Sequence, residues 1–492
     1  MKTILTKTDF NNHYYIARKS KLIGYLHPEI YKYFQNTESD IISTQNPKYS
    51  QFKSDEKYYE RKYNFLKEHI LSNETKEINN CTRRIEEVHI KDGLDNIEQV
   101  VFEVTSSCNL KCRYCAYGEF YSYTHTQENR NMDFSTAKTV VDFFVRRFNT
   151  PDNKSFKGTT FISFYGGEPL LNMGLIKKII EYIKGLEVNR NFIFSMTTNG
   201  VLLMKHIDFL VDNSVRLLIS LDGDNEGNQY RVDRLGFNSF PVIISNVKLI
   251  KEKYPDFFKE YVNFIAVLHN KNSVESIMYF FKKNFDKVPM IAPLNTSGIL
   301  PEKTEEFKNI YHDYIDSINR SNNLNRIVTE LGAKSPEIRD TFIFCKQYGG
   351  TFFEDYSELF SNNATLFPTG TCFPFGRKMF IATDGSIHTC EKIDYRYSFG
   401  SVIDKTIRLN SKFIVETFNR YLDNISKSCS SCYMLESCPH CLYLIDDIEN
   451  ENAKCPGYLN YEDFSKKCST ILSRLEKNRE MFNEIVNDII FV

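Results

Sequence analysis

No run of about 18 apolar residues occurs anywhere in the chain, which excludes the apolar helix that spans a bilayer. The opening MKTILTKTDFNNHYY lacks the apolar stretch of a secretory signal peptide. Neither sign of charge is in excess. With 62 basic and 63 acidic side chains the formal charge is -1, so no global field draws the chain to nucleic acid or an anionic membrane. Tandem repeats and low-complexity linkers are missing too. Together these absences predict a cytoplasmic chain with no nucleic-acid and no membrane partner.

What is present is the composition of a folded protein: 41% hydrophobic, 14% aromatic and 25% charged residues. A length of 492 residues exceeds one ordinary core, so two or three domains are expected. From about 96 to 300, short apolar runs alternate with longer amphipathic stretches, as in strand and helix units around a parallel sheet. The predicted strands are VVFEVT (100–105), TTFISFYGG (159–167), NFIFSMTTNG (191–200), VRLLISLDG (215–223), YVNFIAVLHN (261–270) and VPMIAPLN (288–295). STAKTVVDFFVRRF (135–148) and NMGLIKKIIEYIKGL (172–186) are the first two helices. Six units fall short of a closed eight-stranded barrel, so the expected class is α/β, a partial TIM-like (β/α)6 barrel with its chemistry where strands end. Residues 1–95 form a small α+β region, with a short hairpin over YYIARKSKLIGYL and a helix over SDEKYYERKYNFLKEHIL. Residues 301–344 read as a charged helical linker and 345–492 as a cysteine-rich domain.

Thirteen cysteines make a poor disulfide framework in a reducing compartment and a better inventory of metal ligands. Cys108, Cys112 and Cys115 crowd the loop after the first predicted strand of the barrel. Eight more lie between 372 and 468, and only Cys81 and Cys345 stand apart, where a small buried hydrophobe is the ordinary reading. A structural zinc at the first group would need four ligands; no fourth Cys follows closely, and His125 is ten residues beyond Cys115. Iron–sulfur clusters are normally held by four thiolates. Three leave one iron open, and an open metal position is a catalytic one.

The C-x3-C-x2-C spacing, with Tyr114 before the last cysteine, resembles the radical S-adenosylmethionine superfamily. Three further stretches match. YGGEPL (165–170) is similar to that family's glycine-glycine-glutamate motif, which implies Gly166, Gly167 and Glu168 at the methionine amino group. A glycine pair lets backbone approach a ligand closely, and an ionised Glu suits an ammonium. TTNG (197–200), carrying Thr198 and Asn199, and SLDG (220–223), carrying Ser220 and Asp222, resemble the loops after the fourth and fifth strands that help hold the cofactor. Each alone is ordinary turn chemistry; their order after a three-Cys loop carries the resemblance. Arg231 stands where relatives place an arginine at the methionine carboxylate, though Gly227 and Asn228 replace their His-Asp pair; an exposed helical arginine is the alternative. The resemblance implies a [4Fe-4S] cluster on three Cys, with S-adenosyl-L-methionine on the open iron and reductive cleavage to a 5'-deoxyadenosyl radical. It also implies an electron donor such as flavodoxin or ferredoxin.

The tail reads C372-x12-G385-x4-C390, then C429-x2-C432-x5-C438-x2-C441, then C455. Alone, its C-x2-C pairs would suggest a zinc ribbon. In context the arrangement resembles the SPASM domain that follows a radical SAM barrel and holds two auxiliary [4Fe-4S] clusters, with two residues instead of three between Cys438 and Cys441. The resemblance implies Cys372, Cys390 and Cys441 on one cluster and Cys429, Cys432, Cys438 and Cys455 on the other. The first is a ligand short. Leu366 stands where some relatives have an extra cysteine; Cys345 or Cys468 would complete the set, Cys468 could instead replace Cys455, or an iron stays open for a substrate thiolate. His388, two residues before Cys390, reads as a packed or exposed histidine and not as a ligand. This layout implies a maturase that modifies a ribosomally made precursor peptide by a thioether or other side-chain crosslink. Residues 1–95 are long enough for a winged-helix leader-recognition module whose edge strand pairs with an extended peptide. Formylglycine formation on sulfatases is the second enzyme reading. An iron–sulfur electron carrier or zinc-stabilised binding protein is the non-catalytic one, and neither of these needs an ammonium site.

Overall fold

The computed structural model describes residues 3–17, 22–36, 53–68, 81–121, 129–151, 153, 155, 158–321, 340–345 and 368–477. His125, Leu366 and the last residues of the helix expected up to 71 lie outside them. Three short antiparallel strands come first: β1 (Ile4–Lys7), β2 (His13–Ala17) and β3 (Leu22–Leu26), in that order. The expected hairpin is β2–β3, where Gly24 pairs with Tyr15. A Cβ on Gly24 would lie 2.0 Å from the Tyr15 ring, so the glycine makes room for the aromatic. Helices Pro28–Asn36 and Lys53–Leu66 cover this sheet through Tyr15, Leu26, Ile30 and Tyr63. β1 is tied to helix Tyr461–Lys477: Ser465 and Ser469 hydroxyls donate to the Leu5 and Lys7 carbonyls at 2.7 and 2.6 Å. Among the described residues no strand pairs with the outer edge of β3.

The barrel strands are β4 (Gln99–Thr105), β5 (Thr159–Gly166), β6 (Asn191–Thr198), β7 (Arg216–Ser220), β8 (Val262–Val267) and β9 (Met290–Ala292). All pair in parallel and in chain order. β4 is buried at six consecutive residues, the near-continuous apolar run expected of a parallel strand covered on both faces. Helices Phe134–Phe148, Met173–Lys184, Leu203–Asp212, Phe240–Lys253 and Val274–Phe285 supply the crossovers. The six-unit partial barrel expected from the sequence is therefore present. One placement needs correcting: TTNG and SLDG close β6 and β7, the third and fourth barrel strands, and not the fourth and fifth.

The cysteine-rich tail does not fold as a separate sheet. β10 (Lys378–Ile381) pairs in parallel with β4, Lys378 facing Gln99 and Ile381 facing Phe102. β11 (Ser386–His388), β12 (Gly400–Ile403) and β13 (Thr406–Leu409) follow antiparallel. One ten-stranded sheet results, ordered β13-β12-β11-β10-β4-β5-β6-β7-β8-β9. The seam is dry, with Val101, Phe380 and Ala382 buried against one another. Among the described residues no helix is long and apolar enough to cross a membrane.

Candidate cluster and cofactor site

The three close thiols sit on the loop leaving β4. Tight turns shape it: the Cys115 N–H donates to the Cys112 carbonyl at 3.1 Å, and that of Gly118 to the Cys115 carbonyl at 2.7 Å. The loop docks along residues 230–233, where the N–H groups of Lys111 and Arg113 donate to the carbonyls of Val232 and Tyr230 at 2.7 and 3.0 Å. Burial pushes the Cys108 thiol up to about 11, with Glu168 and Cys112 adding to it. Cys115 is pushed up to about 12 by burial and then by Cys112 and Cys108. Thiols that raise one another this way favour a bound cation, which removes the repulsion. Three thiols on one short loop are the donor chemistry that an iron–sulfur cluster takes. Among the described residues no three His, Cys, Asp or Glu side chains converge on a single metal ion.

Glu168 follows the glycine pair at the end of β5 and is fully buried. Its Oε1 accepts from the Leu170 N–H at 3.1 Å and the Thr198 hydroxyl at 2.7 Å; its Oε2 accepts from the Asn199 N–H at 2.7 Å. Burial pushes its carboxyl up to about 7 against the pull of these three donors. Asn199 also donates through Nδ2 to Asn109 Oδ1 at 2.7 Å and reaches Cys108 Sγ at 3.8 Å. The glycines have a reason the sequence did not disclose. A Cβ on Gly166, whose φ is +139°, would lie 2.0 Å from the Thr105 carbonyl oxygen, and one on Gly167 would lie 2.3 Å from that of Ser107. They let the loop carrying Glu168 pack against the root of the cysteine loop.

Asp222, at the end of β7, is a buried hub. Its Oδ1 accepts from the Val267 N–H at 2.9 Å, and its Oδ2 takes the Tyr114 hydroxyl. Arg231 Nε lies 3.1 Å from the same oxygen, out of line for a hydrogen bond, so the contact is an ion pair. Burial would raise the Asp222 carboxyl, but Arg231, His269 and Tyr114 more than offset it and hold it below the usual carboxylate range. Arg231 is 7% exposed, which rules out the exposed-arginine alternative. Its Nη1 is 3.9 Å from Cys112 Sγ, and its guanidinium is 5.5 Å from the centre of the Tyr114 ring. Ser220 is half-buried at the end of β7. The sequence reading missed His269: fully buried, its Nε2 is 3.6 Å from Asp222 Oδ2 and its ring stacks on Tyr114. The signal was available, since His269 directly follows an apolar strand at its carboxyl end. Glu103 was missed as well. Within β4, it accepts from the Tyr117 hydroxyl at 3.3 Å and the Thr383 N–H at 2.9 Å.

In the tail, Cys429 and Cys432 are buried at the end of helix Ser411–Ser431. Burial raises the Cys429 thiol, and Cys438, Cys455, Cys81 and Cys432 raise it further. Cys81 is buried in the main apolar core, the small buried hydrophobe expected of it. Cys372 adds to the upward shift of Cys441. Cys390 is pushed up to about 12 by burial and by Glu391, whose Oε2 is 3.4 Å from its sulfur. Cys345 is buried and pushed up to about 11 by burial alone. Cys468 is fully buried in helix Tyr461–Lys477, in one apolar cluster with Cys432, Met434 and Phe464. Of the packed and exposed alternatives His388 takes the packed one: burial lowers it to about 4, and its ring nitrogens meet the Ser386 hydroxyl at 2.9 Å and the Tyr397 carbonyl at 3.3 Å.

A sequence profile of the Radical SAM superfamily matches residues 102–282. The chain is 25% identical over 359 residues to a cysteine-type anaerobic sulfatase-maturating enzyme of Clostridium novyi, a match covering 70% of this chain and 87% of that one. It is 26% identical over 365 residues to the radical SAM cyclopropyl synthase TigE of Paramaledivibacter caminithermalis, covering 72% and 69%. A match to an uncharacterized protein of Methanocaldococcus jannaschii, 33% identical over 131 residues, spans 26% of this chain and only 40% of that protein. In fold the chain is similar to native anSMEcpe with bound AdoMet and Kp18Cys peptide, with a TM-score of 0.55 at 20% identity over 80% of this chain and 99% of that one.

Proposed function

Because residues 102–282 are a radical SAM domain, we propose that this chain is a maturase that modifies a ribosomally made precursor peptide, forming a thioether or another side-chain crosslink. The observation that carries this reading is the length of the two matches to a sulfatase maturase and a cyclopropyl synthase, each over 70% or more of this chain and so far longer than the domain. Cys108, Cys112 and Cys115 would hold a [4Fe-4S] cluster, with S-adenosylmethionine on its open iron. Bound there and given one electron by the reduced cluster, S-adenosylmethionine would supply a 5'-deoxyadenosyl radical and release methionine, chemistry that no side chain offers.

The chain's own residues bind, orient and exclude water. Glu168 would take the methionine ammonium, with Thr198 and Asn199 fixing its two oxygens. Asp222, Tyr114 and Arg231 brace the cysteine loop, and Arg231 and Ser220 would lie toward the methionine carboxylate. Two auxiliary clusters would sit in the tail, one on Cys372, Cys390 and Cys441 and the other on Cys429, Cys432, Cys438 and Cys455. Cys345 and Cys468 are kept as further candidates. The outer edge of β3, unpaired among the described residues and with Leu22 42% and Tyr25 61% exposed, supports a leader-peptide site in residues 1–95, because an unpaired edge strand can take an extended peptide as its neighbour. The electron donor would be a flavodoxin or ferredoxin, and the setting cytoplasmic. The coverage of 87% of the Clostridium novyi enzyme favours formylglycine formation on a sulfatase as the second reading.

The test is anaerobic reconstitution with iron, sulfide, dithionite and S-adenosylmethionine, offering in turn a candidate precursor peptide, sought among short reading frames neighbouring the gene, and a sulfatase peptide. 5'-Deoxyadenosine together with a hydrogen loss on the first peptide supports the proposal; product on the sulfatase peptide alone moves the assignment to the second reading. Cys112→Ala is expected to abolish cleavage, while Cys432→Ala keeps some cleavage and loses peptide product. Equal loss in both would mean that the tail thiols serve folding only.

A further inference from the structure

The backbone pairing of β10 with β4 ends at Ile381 and Phe102, and one residue further on a side chain takes it up. Glu103 Oε2 accepts from the Thr383 N–H at 2.9 Å, in the turn between β10 and β11. Its Oε1 accepts from the Tyr117 hydroxyl at 3.3 Å, on the cysteine loop two residues after Cys115. Alternation along β4 turns Val101, Glu103 and Thr105 to one face. On that face Val101 buries with Phe380 and Ala382, and Tyr165 and Tyr395 pack against them. Phe102 and Val104 point the other way, into the core under the crossover helices. Glu103, 1% exposed, therefore stands on the inner face of the barrel sheet, at the seam where cysteine loop and tail come together.

A buried carboxyl is costly unless donors match its oxygens. Those facing Glu103 are the Thr383 N–H and hydroxyl and the hydroxyls of Tyr117 and Tyr395, all of them neutral. Val101 fills the same seam without that cost, so packing alone does not call for a carboxyl here. What the carboxyl adds is a bond to each of two segments that the whole barrel separates in sequence. We infer that Glu103 is a positioning residue: it ties the cysteine loop, through Tyr117, to the tail, through Thr383, and so holds Cys108, Cys112 and Cys115 at one separation from the tail. A fixed separation matters to the reaction, because a radical made beside the loop has to meet the peptide within near-attack reach. That consequence rests on the maturase reading, whereas the tie itself does not.

The test is amide hydrogen exchange, read by mass spectrometry on the full-length chain prepared anaerobically, for Glu103→Ala, Glu103→Gln and Tyr117→Phe. Glu103→Ala is expected to speed exchange about tenfold or more in both 106–118 and 382–387, since charge-assisted bonds are lost at each, and to leave helix Phe134–Phe148 unchanged. Tyr117→Phe should loosen 106–118 alone. Glu103→Gln should stay near the wild type, because its amide oxygen can accept from the Thr383 N–H while its NH2 donates to the Tyr117 hydroxyl oxygen. Glu103→Ala without effect on either segment would overturn the inference, as would faster exchange in the helix too, which is general loosening. Glu103→Gln as loose as Glu103→Ala would overturn it as well, because charge and not the tie would then be what counts. Assayed with a peptide that the wild type modifies, Glu103→Ala should still form 5'-deoxyadenosine but lose most of the peptide product made per 5'-deoxyadenosine, and Glu103→Gln should restore that ratio. An unchanged ratio in Glu103→Ala would refute the catalytic consequence. A wild type that forms no 5'-deoxyadenosine would end the maturase reading and leave the exchange result to decide the tie.

Discussion

Burial holds the Glu168 carboxyl at about 7 even though three donors pull it down, and this sets two opposite pH dependences at one residue. Folding raises its proton affinity above the ordinary 4.5, so its contribution to stability is fully present below that value and is lost as pH climbs through 7. The span corresponds to about 3 kcal/mol. Binding an ammonium needs the ionised form, so affinity for S-adenosylmethionine should rise over the same window. Scanning fluorimetry of the ligand-free chain is expected to show the unfolding temperature falling between pH 5 and pH 7.5, and Glu168→Gln to flatten that curve. Parallel curves for the two chains would refute the role of burial. The same substitution should weaken S-adenosylmethionine about tenfold or more, measured by calorimetry, since a hydrogen bond to a charged group contributes ~1.5–3 kcal/mol. The motif itself was legible in YGGEPL. The elevated affinity was not, because it comes from burial by elements that meet only in the fold, against the opposing pull of Thr198 and Asn199 from the next strand.

At the scale of elements, the first barrel strand and the first barrel helix were read almost to their ends, since apolar runs and amphipathic periodicity are local properties of the chain, whereas the last barrel strand, expected at 288–295, spans only Met290–Ala292. β4 was expected at 100–105 and spans Gln99–Thr105; the first helix was expected at 135–148 and spans Phe134–Phe148. The close contacts between their ends were not legible. Gly167 looks like a turn residue, yet it is where the β5 loop meets the carbonyl oxygen of Ser107. Gly167→Ala should therefore act as overpacking, costing about 1–3 kcal/mol and displacing the cysteine loop. The expected result is a lower unfolding temperature with iron lost from the first cluster and kept in the tail, read by iron analysis of this variant beside Cys112→Ala. Uniform iron loss would mean a global collapse instead.

For the whole molecule, the pairing of β10 with β4 makes barrel and tail one sheet. A chain cut after residue 344 would bare the edge of β4 and the apolar side of Val101, and unpaired apolar edges associate. That truncation is expected to elute from size exclusion as aggregate, and a stable monomeric barrel would contradict it. By itself the sequence determined the strand and helix series, the three-thiol loop and the order of the glycine, glutamate and aspartate motifs, because periodicity and spacing are carried by neighbours along the chain. Only the tertiary structure decided that β10 extends the barrel sheet and that His269 and Arg231 meet on Asp222. Those contacts are chosen by which buried surfaces and charges match in space, and no local pattern records that match.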